Sequence, residues 1–305
     1  MSTEGSTKAI FAALGANTGI AITKFVAAAI SGSASMFAEA IHSVADTGNQ
    51  ILLLLGGKRA KRQATPTHPF GYGRSRYIYA FMVSIVLFSI GGMFSILEGV
   101  DKLTHPHELE QAWLPLTVLG VAILLESFSL FTALKAAKEE RGRTSLYKFI
   151  RHAKSPELPV VILEDIAALL GLVFAFAGVG LTVVTHDPIW DAIGTLAIGG
   201  LLVAVAIILG IETSSLLVGE GASDKDSQKI AAALRNSDGV EDIIHMKTLY
   251  LGPDELMVAA KIAVKATDKA KEVAHAIDVA ETNIRKAVPI ALVIYIEPDI
   301  LRSSK

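Results

Sequence analysis

Residues 33–56 read SASMFAEAIHSVADTGNQILLLLG, a stretch long enough to cross a hydrocarbon core of about 30 Å as one helix. Five further apolar stretches of comparable length lie near residues 9–30, 77–100, 112–136, 158–184 and 189–218. In lipid the backbone must satisfy its own hydrogen bonds, which favours helices over irregular chain. The sequence therefore predicts an all-α membrane domain of six transmembrane helices.

The composition supports a membrane protein and restricts its chemistry. The 305 residues are 51% hydrophobic and 19% charged, with a mean hydropathy of +0.49, which is too apolar for an ordinary soluble domain of this size. A net charge of −2 gives no indication of a nucleic-acid partner. Because the chain has no cysteine, any metal ligand must come from His, Asp, Glu or Asn.

The distribution of basic residues predicts the orientation of the chain. Lysines and arginines cluster after the second span, between residues 58 and 76, and after the fourth, between residues 138 and 154. The other connections, at 31–35, 105–111 and 185–188, contain neither. The positive-inside rule then places both termini in the cytoplasm, and a bacterial source would place the protein in the inner membrane.

The chain changes character at about Gly221, where charged residues return and no later apolar run could span a membrane. Its pattern predicts helices at 224–236 and 268–287 and strands at 240–251, 255–265 and 290–297. We therefore expect a membrane domain at 1–220 and a cytoplasmic α-β-β-α-β domain at 221–305. Its remaining sheet face or edge would suit dimerisation.

The second span carries Glu39, His42 and Asp46, spaced so that all three lie on one helical face. Ionisable groups deep in a bilayer are costly, so such a stripe favours function over simple hydrogen bonding between helices. His and Asp one turn apart are well placed to share a metal ion. The stripe therefore predicts a metal site inside the membrane.

The fifth span adds an acidic pair, Glu164 and Asp165. Neighbouring helical residues point about 100° apart, so at most one is expected to face the second-span stripe. The predicted site is His42, Asp46 and Asp165. Glu164 is either a fourth ligand or the partner of another polar group.

Three other ionisable residues in the spans receive less direct roles. Lys24 is expected to pack, to pair helices or to snorkel rather than to bind metal. Glu126, like Glu39, is an accessory candidate that either couples protons or finds a hydrogen-bond partner. Asp191 lies near the start of the sixth span, where an acidic residue favourably meets the helix dipole, so a structural capping role is expected.

Four segments form a recognisable set: SGSASMFAEAIHSVADTGNQ, HPFGYGRSRYI, ILEDIAALLGL and PIWDAIG. With the layout of six spans and a small domain, they resemble the cation diffusion facilitator family of metal-ion/proton antiporters, closest to the branch that contains an animal mitochondrial zinc transporter. The resemblance covers essentially the whole chain. It implies a homodimer that exports a divalent transition metal, with zinc expected, in exchange for protons and without a resident cofactor.

The resemblance also implies a ligand set. The family uses two ligands one turn apart on the second span, which His42 and Asp46 match, and a His-x-x-x-Asp pair on the fifth, of which Asp165 matches the Asp. Val161 stands in place of the fifth-span His. A site with one imidazole fewer has a larger share of hard oxygen ligands, so manganese, cobalt and iron are alternatives to zinc.

Peripheral metal sites of the family are only partly retained. His68 remains in the HPFGYGRSR loop, which by itself could simply be a tight turn into the third span. The C-terminal domain, which resembles a ferredoxin-like metallochaperone domain, keeps His245 and His275. Other residues occupy the remaining ligand positions: Thr65, Tyr72, Lys261, Tyr295 and Glu297. We therefore expect that domain to serve mainly in dimerisation.

Two alternative functions would use the same fold. A membrane-anchored metal sensor or scaffold would act through the C-terminal domain, whose replaced ligands argue against sensing. An intramembrane enzyme would need a motif such as H-E-x-x-H, which the sequence lacks, so no enzymatic activity is predicted. The sequence also has no G-x-x-x-x-G-K-[ST] motif for an ATP-driven pump.

Overall fold

The computed structural model describes residues 18–106, 113–143 and 145–301. The long helices are α1 (Thr18–Ser31), α2 (Ala34–Ala60), α3 (Ser75–Thr104), α4 (Trp113–Arg141), α6 (Glu157–Thr185) and α7 (Ile189–Val218). A short helix that the sequence did not predict, α5 (Leu146–His152), precedes α6. The first part of the first predicted span, residues 9–17, lies outside the described residues. Each of the other five predicted spans coincides with a helix.

Among the described helices, four are long and apolar enough to cross a membrane by length and composition: α3, α4, α6 and α7. The described part of α1 is shorter, and the ionisable stripe interrupts the apolar sequence of α2. The count of six spans stays a prediction. Within α3, a π-helical turn at Leu87–Met93 separates two α-helical parts.

The chain forms two compact units, one comprising Met1–Gly56 with Ile78–Thr213 and the other Gly57–Tyr77 with Ser214–Lys305. The connection between α2 and α3 thus groups with the C-terminal residues. The helical unit buries a core that includes Leu87, Leu172 and Leu202. The apolar side chains of α4 are largely exposed, with Leu124 and Phe128 both at 73%. This is the pattern expected of a helix that faces lipid.

The N-terminus of α2 is capped by Asp191 of α7, which is fully buried. The carboxylate accepts hydrogen bonds from the backbone N–H of Ala34 (2.7 Å) and Ser35 (3.2 Å) and from the Ser33 hydroxyl (2.8 Å). The expected capping role of Asp191 is confirmed, but the N–H groups that its carboxylate accepts from belong to α2. The first N–H groups of a helix lack partners within it, and the carboxylate of a neighbouring helix satisfies two of those of α2.

We expect Asp191→Ala to lower the stability of the helical unit markedly. The change leaves two buried backbone N–H groups and a hydroxyl without an acceptor, at about 1–3 kcal/mol for each group. The matched control is Asp187→Ala, which removes an exposed carboxylate that accepts from the Ile189 N–H at 3.0 Å. Thermal unfolding of the purified variants checks this, and equal melting temperatures for the two would contradict the role of Asp191.

The C-terminal residues confirm the predicted α-β-β-α-β order. They form α8 (Asp224–Arg235), β1 (Asp242–Gly252), β2 (Glu255–Ala263), α9 (Ala270–Ala287) and β3 (Ala291–Asp299). Strand β2 lies at the centre, antiparallel to β1 and parallel to β3. One face of the sheet packs against both helices through Ile230, Val258, Ile262 and Ile284. The alternating side chains of β2 account for this one-sided core.

The connection between α2 and α3 is folded rather than a bare turn. Thr65 and His68 exchange backbone hydrogen bonds of 3.1 and 2.9 Å, and the His68 ring packs against Tyr72 with centroids 4.5 Å apart. The connection meets the β1–β2 turn at Gly73, where a Cβ atom on Gly252 would lie 2.9 Å from the Gly73 Cα. An ion pair of 2.9 Å joins Arg76 and Asp254 close by.

We expect Gly252→Ala to loosen this contact, because the added Cβ meets backbone atoms that cannot rotate away. Overpacking of this kind costs about 1–3 kcal/mol. The measurement is limited digestion with trypsin, since Lys58, Arg59, Lys61 and Arg62 precede the contact and should become more accessible. Gly57→Ala is the control, because a Cβ there would meet nothing within 4 Å. Identical digestion of both variants would mean that the glycine contact does not hold the connection in place.

Candidate functional site

The structure places the predicted second-span residues together on one buried face of α2. Glu39 and His42 are at most 1% exposed, and the Asp46 side chain is 19% exposed. The His42 Nε2 atom lies 3.6 Å from Asp46 Oδ2, which is beyond a normal hydrogen bond. Both side chains therefore point into the same space without occupying each other's hydrogen-bonding capacity.

The acidic pair of α6 is divided between two neighbouring helices. Glu164 is buried, and its Oε1 accepts a hydrogen bond of 2.6 Å from Asn49 Nδ2 on α2. Asp165 Oδ2 accepts one of 3.1 Å from the Ser129 hydroxyl on α4. Of the two roles considered for Glu164, partner of another polar group is the one seen here.

Electrostatic interactions join these carboxylates into one cluster. Asp46 interacts with both Glu164 and Asp165. Glu126 of α4 interacts with Asp46 and Asp165 as well, so this carboxylate belongs to the same cluster. Residues of α2, α4 and α6 therefore surround one acidic region, in which His42 provides the one imidazole among the residues that the structure describes.

Several buried polar atoms of the α2 stripe have no hydrogen-bond partner among the described residues. They are both ring nitrogens of His42, Asp46 Oδ1 and Asn49 Oδ1, and a further one, Glu39 Oε1, lies against Gly171 of α6. A buried polar atom without a partner typically costs about 1–3 kcal/mol, so a concentration of such atoms on one helical face indicates that a ligand binds there. Nitrogen and carboxylate oxygen together suit a divalent transition-metal ion.

Asn49 is a site residue that the sequence reasoning missed. It lies three residues after Asp46 and seven after His42, so it falls on the same helical face. Extending the stripe by one more turn would have found it. Asn49 is fully buried, and it is the residue through which α2 reaches Glu164.

The side chains of the proposed ligands do not form a complete metal-binding geometry in this structure. Within the described ranges, no group of three or more His, Asp or Glu side chains is arranged to hold a metal ion. His42 and Asp46 lie 3.6 Å apart without a hydrogen bond between them, whereas Glu164 and Asp165 are hydrogen-bonded to Asn49 and Ser129. Binding a metal through all four residues would require the two α6 carboxylates to exchange those hydrogen bonds for the ion.

The peripheral histidines lie in different parts of the C-terminal unit. His68 packs against Tyr72, His245 lies exposed on β1 beside Lys261, and His275 lines an open groove on α9. The Lys261 ammonium is 2.9 Å from a carboxylate oxygen of both Glu297 and Asp299. Hydrogen bonds to Asp299 and Glu297 raise the pKa of Lys261, so a fixed cation lies between these carboxylates.

Lys24 lies in the helical core rather than at a lipid boundary. Its ammonium is 3.1 Å from Glu39 Oε2 and 2.8 Å from the Ser43 hydroxyl, and the residue is 1% exposed. Of the roles considered for it, snorkelling is wrong, and pairing of helices is confirmed. The physical reason is that α2 presents a carboxylate at the depth of the ammonium, so the charge is compensated inside the unit.

These features define a helical membrane protein with a buried cluster of histidine and carboxylates between its helices. The profile of the family described as cation efflux transmembrane domain matches residues 10–218, more than half of the chain. The chain therefore belongs to the cation diffusion facilitator family, a family of transporters.

Individual relatives agree with this assignment. The chain is 32% identical over 262 residues to the mouse proton-coupled zinc antiporter SLC30A9, mitochondrial, covering 85% of this chain and 46% of the relative. It is 32% identical over 260 residues to metal tolerance protein C4 of Arabidopsis thaliana, covering 84% and 57%. The chain thus spans about half the length of these two relatives. The predicted position near the branch of the animal mitochondrial zinc transporter is confirmed.

Proposed function

We propose that this protein is a secondary transporter that exports zinc from the cytoplasm in exchange for protons. The observation that carries the proposal is the set of buried, unpartnered nitrogen and oxygen atoms on α2, next to the carboxylates of α4 and α6. Family membership and the similarity to a proton-coupled zinc antiporter support zinc as the transported ion and protons as the exchanged ones.

The proposed ligands are His42, Asp46 and Asp165, with Glu164 as the fourth. Metal binding requires the deprotonated forms of these side chains, so protons and metal compete for the same atoms. An imidazole nitrogen binds either a proton or a metal ion, so His42 is suited to that exchange. Glu126 and Glu39 are accessory carboxylates of the same region.

The proposed cycle is alternating access. The α6 carboxylates leave Asn49 and Ser129 to bind the ion beside His42 and Asp46, and rearrangement of the helices then opens the site to the other side. Protons that arrive from that side displace the ion. Glu164 and Asp165 are therefore expected to alternate between a hydrogen-bonded and a metal-bound state.

We propose that the chain is divided into the two domains that the sequence predicts. Residues 1–220 form six transmembrane helices, and residues 221–305 form a cytoplasmic domain, with both termini in the cytoplasm. The protein needs no resident cofactor and catalyses no covalent reaction. The lysines and arginines at 58–76 and 138–154 support this orientation.

We also propose that the C-terminal domain mediates a homodimer through the sheet face that its helices leave open. On that face Met257, Ala259 and Lys261 alternate with the buried residues of β2, and Tyr295 beside Ala259 is 58% exposed. A mixed apolar and charged surface of this kind suits a protein–protein contact better than solvent. Cross-linking in the membrane tests the dimer.

The test of transport uses purified protein in sealed vesicles that contain a zinc-sensitive dye. Zinc is added outside while the interior is held acidic, and we expect dye fluorescence to rise only while the pH gradient lasts. A protonophore should stop the uptake. Uptake that ignores the gradient would contradict proton exchange.

The same vesicles separate the alternatives. A sensor or scaffold would bind zinc without filling the vesicles. A manganese, cobalt or iron transporter would fill them with one of those ions in preference to zinc, and offering each metal alone at equal concentration shows which is carried. Failure of every metal to enter would contradict the transporter proposal as a whole.

A further inference from the structure

The pair formed by Lys24 and Glu39 lies next to the proposed metal site without being part of its ligand set. Glu39 precedes His42 by one helical turn, and the Lys24 ammonium reaches Glu39 Oε2 at 3.1 Å from the neighbouring helix α1. The same ammonium donates to the Ser43 hydroxyl at 2.8 Å. Both side chains are at most 1% exposed.

Helix α6 is shaped to accept the Glu39 carboxylate. A Cβ atom on Gly171 would lie 2.5 Å from Glu39 Oε1, so any side chain at position 171 would collide with it. Three helices therefore enclose the pair. Helix α1 provides the Lys24 ammonium, α2 provides the Glu39 carboxylate, and Gly171 of α6 leaves room for that carboxylate. Such an enclosure fixes the position of both charges relative to His42.

The two charges act on the site with opposite signs. Lys24 interacts electrostatically with His42, Asp46 and Glu126, and Glu39 interacts with the same three residues. A divalent ion at His42 and Asp46 would be repelled by the ammonium and attracted by the carboxylate. Because the ammonium and the carboxylate lie 3.1 Å apart, their opposite effects on such an ion should offset each other.

We propose that Lys24 and Glu39 form a fixed, mutually neutralising charge pair that keeps either charge alone from raising or lowering the affinity of the His42–Asp46 site for divalent metal ions. Lys24 holds Glu39 away from the ion, so Glu39 is a positioning residue and neither a ligand nor a proton carrier. The inference rests on the proposed function, because it assigns the pair to the metal site of that function.

The test measures equilibrium zinc binding by the purified full-length protein at one mildly alkaline pH. Lys24→Met leaves the carboxylate unbalanced and should tighten zinc binding, whereas Glu39→Gln leaves the ammonium unbalanced and should weaken it, each on the order of tenfold. The double variant Lys24→Met/Glu39→Gln should return close to the parent. A loss of packing alone would not change zinc affinity in opposite directions in the two single variants, nor restore it in the double variant.

Lys102→Met is the matched control. Lys102 is also nearly buried, but its ammonium donates to the Gly32 carbonyl at 2.7 Å, before the start of α2. Zinc affinity should stay at the parental value. A change equal to that of Lys24→Met would mean that any lost lysine charge suffices, and it would overturn the assignment of the pair.

The outcomes distinguish this inference from the proposed function. If the parent binds no zinc, the proposed function fails. If the parent binds zinc and the two single variants change its affinity in the same direction, or leave it unchanged, the charge pair fails alone. Should Lys24→Met not fold, Glu39→Gln and the double variant still decide, because parental binding by Glu39→Gln overturns the inference.

Discussion

Replacing Asp46 with alanine is expected to reduce proton-driven zinc uptake to the background of vesicles without protein. Asp46 provides one of the two α2 side chains aimed into the proposed site, and its Oδ1 has no other partner among the described residues. Loss of an outer-shell partner of a metal ligand typically costs about 10–100-fold in affinity or activity, and loss of the ligand itself should cost more. Asp165→Ala should have the same effect.

Both variants should fold, because neither change strands a buried charge. Asp46 is 3.6 Å from the His42 ring, and the partner that Asp165 would abandon is the exposed hydroxyl of Ser129. Asp101→Ala is the control, since it removes a carboxylate that is 72% exposed at the end of α3. Near-parental uptake by Asp46→Ala, with the control also active, would show that the transported ion does not bind at this place.

The sequence predicted those features that depend on spacing along one helix or strand. The apolar lengths located the long helices, and the spacing of Glu39, His42 and Asp46 predicted one buried face, which the structure shows. The pattern of residues 224–297 likewise predicted the α-β-β-α-β order, which the structure confirms. In each case the information lies within a few residues, so local periodicity is sufficient.

Contacts between distant elements could not be predicted in this way. Lys24 meets Glu39 across two helices, and Asp191 caps α2 from 157 residues away. The connection at 57–77 also groups with residues far along the chain. Sequence spacing shows which residues share a face but does not show which face of another helix they meet, so these partners required the three-dimensional structure.

The acidic pair of α6 shows the same limit at the site itself. The angle of about 100° between neighbouring helical residues correctly separates Glu164 from Asp165. It does not say that Asn49 would hold one of them and Ser129 the other. Both carboxylates interact electrostatically with Asp46. Whether either one can also reach a metal ion beside Asp46 depends on its side-chain position in three dimensions, which a helical projection does not give.

Replacing His42 with aspartate is expected to retain some transport and to change which metal is carried. His42 is the one imidazole of the proposed site. Neutral nitrogen favours zinc, cobalt and nickel over hard ions, whereas a site made only of oxygen ligands loses that preference. The ratio of zinc to manganese uptake should therefore fall, by about an order of magnitude if one nitrogen–metal contact is lost.

The pH dependence of uptake should change in the same variant. Protonated imidazole is a cation whereas a protonated carboxyl group is neutral, and the two release their protons at different pH values, so the competition between protons and metal at this ligand changes. The measurement uses reconstituted protein, a fixed pH gradient and several metals offered one at a time. The control is His105→Asp, because His105 is 70% exposed and pairs with Asp101 outside the cluster. If His42→Asp matches the parent in both metal ranking and pH profile, His42 packs between helices beside a site built from carboxylates alone.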